Sequence, residues 1–163
     1  MNLRSKLALL AIAILHLGTH AQAATRAVPF QYPTLRAALE SANSGDVITL
    51  APGTYQESGL VVPSGVTIEG TGAKPQDVML DGEGQARLLL LEGATQTTTI
   101  RNITFINGHA QGPTSYDQSG GALFISNSLA RIENCNFSAN TADSHGGAIR
   151  CNDSSPEIVS CQF

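Results

Sequence analysis

The sequence predicts an all-β protein folded as a β-solenoid, with one short α-helix on its N-terminal side. Three observations predict it. Short apolar runs recur along most of the chain, separated by turn residues. One 18-residue stretch, Gly120–Phe137, repeats without a gap as Gly146–Phe163, at an offset of 26. An earlier segment, Ile100–Phe105, repeats its second half. Self-similarity at such a period is the mark of stacked repeat units.

Composition narrows the class. Of 163 residues, 42% are hydrophobic and only 13% are charged, with 16 glycines and no tryptophan. So little charge argues against a helical bundle, whose wet faces need Lys and Glu, and against a charged disordered tail. The formal net charge of −4 excludes the basic footprint of a nucleic-acid binder.

Residues 1–23 read as a cleaved signal peptide rather than as part of the fold. Arg4 and Lys6 form a positive start, Leu7–Leu17 an apolar run broken only by His16, and Ala21-Gln22-Ala23 a small-x-small cleavage site. The run is too short for a comfortable membrane span of about 20 apolar residues. No later segment is expected to cross a membrane as a helix. The mature chain, 24–163, is expected to be one exported domain.

The single helix is expected over Thr34–Asn43. Thr34 can cap it, Leu35, Ala38, Leu39 and Ala42 share one face, and Gly45 ends it. Strands follow at Val47–Leu50, Leu60–Val62, Val66–Ile68, Val78–Leu80, Leu88–Leu91, Ile103–Ile106 and Leu123–Ile125. Pro52-Gly53, Glu69-Gly70, Asp81-Gly82 and Asn107-Gly108 read as the turns between them.

The two aligned copies agree at seven positions, among them Gly120/Gly146, Gly121/Gly147, Ile132/Ile158, Cys135/Cys161 and Phe137/Phe163. Three columns emerge. Ile100, Ile132 and Ile158 form an inward aliphatic stack. Phe105, Phe137 and Phe163 form an inward aromatic stack. Between them stand Asn102, Asn134 and Ser160, and Asn tolerates the left-handed backbone conformation well. A strand, a corner at the Asn and a second strand, repeated in register, make one turn of a parallel solenoid whose core is built from columns of like residues.

These motifs resemble a known family. Leu35-Arg-Ala-Ala-Leu39 followed by Ser44–Tyr55 is similar to the N-terminal cap and first coil of pectin-lyase-like right-handed parallel β-helices. Val66–Gly70 and Val78–Gly82 resemble the coils that follow. Phe137-Ser-Ala-Asn140 and then Gly146-Gly-Ala-Ile149 resemble the paired FxxN and GGAI repeats of chlamydial polymorphic outer-membrane proteins, found also in other exported bacterial β-helix proteins. The resemblance covers roughly residues 28–163. Two copies depart from the pattern: Phe105 is followed by Ile106-Asn107, and Phe163 ends the sequence. Because the last copy stops inside a coil and leaves an open strand edge, the chain is expected to be the N-terminal piece of a longer protein, with self-association through Phe163 as the alternative.

The resemblance implies a single-stranded right-handed parallel β-helix with a capping helix. It also implies a secreted or outer-membrane surface location and a non-catalytic role as an adhesin or passenger scaffold, with glycans or host and cell-surface proteins as partners. The alternative it carries is the N-terminal part of a polysaccharide lyase or glycoside hydrolase. Lyases of this fold use Asp-bound Ca²⁺ with a basic Arg or Lys in a groove. Here Arg101, Arg131 and Arg150 fall in different columns, and no lyase, esterase or hydrolase signature stands in this stretch. Fold alone does not assign activity.

Candidate sites are few. Asp117 and Asp143 each precede a double glycine by three residues. If those turns stack, the carboxylates lie about 5 Å apart, a spacing for a glycosidase pair or a shared Ca²⁺; the competing reading is that each Asp simply opens its turn. Phe105 to Gly120 is six residues longer than Phe137 to Gly146, so the segment Gly108–Ser119 carries an insertion. Insertions in repeat proteins map to one face, often the binding face, and His109, Tyr116 and Asp117 are its candidate contact residues; a tolerated surface loop is the alternative. His109 and His145 lack metal-ligand spacing with Cys or His and read as solvated turn histidines. Cys135 and Cys161 share one core column, where neighbouring strands bring Cα atoms within disulfide range; a disulfide and a reduced buried pair both remain open. Cys151 aligns with Ile125 and is expected in the core without a partner. Asn102, Asn136 and Asn152 match the glycosylation pattern only by coincidence.

Overall fold

The computed structural model describes residues 22–163. Residues 1–21 of the expected signal segment lie outside them. Strands dominate, every strand pairing is parallel, and there is one short α-helix and a 3₁₀ turn at Pro75–Asp77. Among the described residues no helix is long and apolar enough to cross a membrane.

The chain climbs in successive passes. The first holds β1 (Thr25–Val28) and the helix α1 (Leu35–Ser41). The second holds β2 (Val47–Leu50), β3 (Gly53–Gln56) and β4 (Leu60–Val61), and the third β5 (Thr67–Gly70), β6 (Val78–Asp81) and β7 (Leu89–Glu92). The fourth holds β8 (Thr99–Arg101), β9 (Thr104–Ile106), β10 (His109–Ala110) and β11 (Leu123–Ser126). The fifth repeats it with β12 (Arg131–Glu133), β13 (Asn136–Ser138), β14 (Thr141–Ala142) and β15 (Ile149–Asn152), and β16 (Glu157–Val159) opens a sixth.

The second to fifth passes each add one strand to each of three sheets. The first sheet runs β1-β2-β5-β8-β12-β16, the second β3-β6-β9-β13 and the third β4-β7-β11-β15. The small pair β10-β14 was not foreseen from the sequence, because its two-residue strands carry no apolar run. Pro52-Gly53, expected as a turn, instead leads into β3 with Gly53 as its first residue.

The helix forms where its pattern demands. Thr34 Oγ1 accepts the Ala37 N–H at 3.1 Å, satisfying one orphan donor of the first turn. Leu35, Ala38 and Leu39 are buried, and α1 packs against β1, β2 and β4.

The core is made of columns. Ile48, Ile68, Ile100, Ile132 and Ile158 stand in register across the first sheet. In the second sheet Tyr55, Leu80, Phe105 and Phe137 do the same, and in the third Leu60, Leu89, Leu123 and Ile149. The last described layer is uncovered. Ile158 is 40% exposed and Phe163 73%, whereas Ile132 is fully buried. Cys151 pairs with Ile125 as its alignment predicts, but among the described residues it is exposed rather than buried.

The corners between the first and second sheets lie where Asn was expected. Asn102, Asn134 and Ser160 have φ of 57°, 49° and 54°. The Asn102 side-chain amide donates to the carbonyls of Gly70 (2.7 Å) and Gly72 (2.8 Å), and Asn134 donates to Asn102 Oδ1 at 3.1 Å. The carboxamides thus bond up the stack while the backbone turns, which explains why Asn is chosen over Gly. The repeated double glycine has its own cause. Gly120 and Gly146 take φ of 68° and 65°, and a Cβ on Gly121 would lie 2.1 Å from the Thr141 carbonyl oxygen.

Candidate functional site

The outer face of the third sheet is the most distinctive surface. Val61, Leu90, Phe124 and Arg150 follow one another in register along it. A strand residue on a wet face is ordinarily polar, yet three of these four are apolar. The insertion explains part of this. Tyr116 lies over Phe124 with ring centroids 4.3 Å apart, leaving Phe124 only 3% exposed.

Register brackets the insertion. His109 and Ala110 pair with Thr141 and Ala142, and beyond the loop Ser119 bridges to His145. Eight residues, 111–118, stand between these matched points where the next pass has two, 143 and 144, so the extra six lie within 111–118. The loop is tied at its base and closed on itself. Asp117 Oδ2 accepts from the Thr114 N–H at 3.2 Å and from its hydroxyl at 2.6 Å. The Gln118 amide donates to the Gly112 carbonyl at 2.7 Å, and the Ser119 hydroxyl to the Ser115 carbonyl at 2.6 Å.

Arg87 holds the loop against the sheet. Its guanidinium donates to the carbonyls of Tyr116, Asp117 (3.2 Å), Ser119 (2.8 Å) and Gly120 (3.2 Å). It also lies 4.7 Å from the Phe124 ring centroid and 5.6 Å from that of Tyr116. A rigid planar fork suits this multi-carbonyl grip better than an ammonium would. Burial pushes its pKa below the ordinary arginine value. Sequence reasoning missed Arg87: it precedes an apolar run like any flanking charge, and its partners stand some thirty residues away.

The two candidate carboxylates each take a hydrogen-bond partner of their own, Thr114 for Asp117 and His109 for Asp143. Asp143 follows β14, and Asp117 stands in the inserted segment, two residues before the Ser119–His145 bridge. Asp143 meets His109, with Oδ1 and Nε2 2.9 Å apart across β10 and β14. So His109 is not a free turn residue but one side of a cross-strand pair. His145 Nδ1 shares a 2.6 Å hydrogen bond with the Ser144 hydroxyl. Among the described residues no group of three or more His, Cys, Asp or Glu side chains is placed to hold a metal ion.

Of the predicted binding residues, Tyr116 and Asp117 belong to the insertion, while His109 lies on the strand before it. A hollow of about 210 Å³ beside the loop is lined by Leu60, Val61, Arg87, Leu90, Gln111 and Asp117. It continues into a second, of about 260 Å³, that shares Gly59, Leu60 and Val61 with it and reaches Arg36 and Glu40 of α1. Together they make a shallow groove with exposed apolar floor, a guanidinium at each end and acidic groups on its rim.

The three arginines set aside earlier have structural partners in two cases. Arg101 pairs with Glu69, and Arg131 bridges Glu133 (3.2 Å) and Glu157 (2.5 Å), making alternating charges on the outer face of the first sheet. The N-terminal side holds a buried ion pair. Asp46, 3% exposed, lies 2.7 Å from the Arg26 guanidinium and accepts the N–H groups of Ala24 (2.7 Å) and Asn43 (2.8 Å). Backbone N–H donors and the arginine lower its pKa to about 2.

No curated protein and no solved structure matches the chain. A family model described as a protein of unknown function, DUF1565, matches residues 17–161. That span takes in every described strand, and the chain belongs to the DUF1565 family.

Proposed function

We propose that the chain is a right-handed parallel β-helix, exported by cleavage after Ala23, that acts as a non-catalytic surface scaffold. Its contact surface is the groove beside the Gly108–Ser119 segment, and its partners are glycans or cell-surface proteins. The observation that carries the scaffold reading is the loop itself. A six-residue insertion that is gripped by one arginine and closed by its own side chains presents a fixed surface. The carboxylates nearby are committed to structural bonds, Asp117 to Thr114 and Asp143 to His109. The in-register parallel columns and the DUF1565 match support the β-helix reading, and the cap, FxxN and GGAI motifs resemble pectin-lyase-like and polymorphic outer-membrane repeats.

Support for export comes from where the fold begins. β1 opens at Thr25, two residues after the small-x-small site. Cleavage after Ala23 leaves the Ala24 nitrogen as a free ammonium, and that nitrogen lies 2.7 Å from the buried Asp46 carboxylate. The new charge meets an opposite one.

The test is expression of the full chain in a bacterium with an outer membrane. The expected product lies outside the cytoplasm, begins at Ala24 on N-terminal sequencing, and leaves pectin-type polymers uncut. It is retained on cell-surface glycans or proteins, and deletion of residues 112–117 abolishes that retention. Polymer cleavage lost in Asp117→Ala or Asp143→Ala would establish the lyase or hydrolase reading instead.

A further inference from the structure

Cys135 and Cys161 lie at equivalent points of successive layers, each directly after a corner residue, Asn134 and Ser160. Their layers are joined around them. The Gln162 N–H donates to the Cys135 carbonyl at 3.0 Å, the Phe137 N–H donates to the Gln162 carbonyl at 2.9 Å, and Asn136 bridges to Gln162 in parallel. Neighbouring strands stand about 4.8 Å apart, inside the Cα range that a disulfide spans. Their side chains repeat one arrangement: the Cys135 thiol donates to the Ile100 and Glu133 carbonyls, and the Cys161 thiol to the Ile132 and Val159 carbonyls.

We propose that Cys135 and Cys161 are a redox pair that closes to a disulfide across two layers, while Cys151 stays a free thiol. The third cysteine cannot compete. Its register partner is Ile125 in the third sheet, on another wall of the core.

The step balances against a disulfide of a small thiol or of a thiol–disulfide exchange protein. Cys161, half-buried, attacks as the thiolate and forms a mixed disulfide, releasing one thiol of the oxidant. Cys135 then loses its proton, attacks the Cys161 sulfur and releases the second thiol. Two protein thiols give up two electrons and two protons, and the oxidant takes them as two thiols. The environments fit these roles. Cys135 is buried, whereas Cys161 is only partly so. The more accessible sulfur is thus the one poised to attack.

The experiment uses the full chain, purified under reduction, treated with oxidised glutathione, quenched with acid and blocked with N-ethylmaleimide. Cleavage at Arg and Glu places the three cysteines on separate peptides, 134–150, 151–157 and 158–163. The expected result is one cross-linked peptide pair, 134–150 with 158–163, a 2 Da loss of intact mass before blocking, and maleimide on Cys151 alone. Cys151→Ser is expected to keep the bridge. A persistent glutathione adduct on Cys161 with Cys135 still free, a bridge that includes Cys151, or maleimide on all three cysteines would overturn the proposal.

Discussion

Phe105 and Phe137 stack ring on ring, with centroids 5.1 Å apart and planes inclined by 12°. Phe163 continues the stack at 5.0 Å and 10°. The chain takes 32 residues for the first step and 26 for the second, yet the steps in space are equal. The core sets the rise, and the extra six residues are carried entirely on the outside. That separation lets an exterior loop vary while the layers beneath it stay in register.

Removing a ring from this stack leaves a hole that neighbouring layers cannot close. Phe137 is 5% exposed and touches a ring on either side. Phe137→Ala is expected to cost about 3–5 kcal/mol, the usual toll for truncating a buried aromatic. Urea denaturation followed by far-UV circular dichroism reads it; a loss below about 1 kcal/mol would contradict the stacked core.

The corner at Asn102 separates two contributions. Asn102→Gly keeps the left-handed backbone but loses the bonds to the Gly70 and Gly72 carbonyls. Asn102→Ala loses the bonds and adds backbone strain at φ of 57°. Stability is expected to fall in the order Asn, Gly, Ala, with Ala costing about 1–3 kcal/mol. Equal stability of the Gly and Ala variants would mean that the corner carries no left-handed strain.

Arg87 governs the loop rather than the layers. Arg87→Ala removes every bond that the guanidinium makes to the loop carbonyls and uncovers the Phe124 ring. Faster chymotryptic cleavage at Tyr116 is the expected outcome, with the β-sheet circular dichroism signal retained and Arg87→Lys intermediate. An unchanged cleavage rate in Arg87→Ala would mean that the loop is held by its internal hydrogen bonds alone.

The Asp46 cluster sets an acid limit. Its folded pKa of about 2 lies below the ordinary value of 3.8. A depressed acid stabilises the fold at pH above its unfolded pKa, and that stability is lost as the pH falls through the folded one. Wild type is therefore expected to exceed Asp46→Asn in unfolding midpoint at pH 7, with the gap closing between about pH 4 and pH 2. A gap that persists unchanged at pH 2 would assign it to geometry rather than charge.

Much of this fold is legible because the chain repeats itself. The Ile100/Ile132/Ile158 and Phe105/Phe137/Phe163 columns and the Asn102 and Asn134 corners all follow from aligning one pass on the next, since stacked layers put equivalent residues in equivalent places. The strands at Val47–Leu50 and Val78–Leu80 announce themselves by apolar runs. What could not be read off is what joins unlike positions. Arg87 reaches carbonyls on a loop with no counterpart in the other passes, and carbonyl acceptors leave no trace in residue type. The same holds for Asp117 and Asp143, whose motif before the double glycines is legible while their partners, Thr114 and His109, are not.

Isoleucine methyl NOEs test the stacked register most directly, in protein labelled only at isoleucine δ1 methyls. The account predicts cross-peaks from Ile68 to Ile100, from Ile100 to Ile132 and from Ile132 to Ile158, with none between Ile68 and Ile132. Cross-peaks that skip a layer, or the absence of the Ile100–Ile132 contact in folded protein, would contradict it.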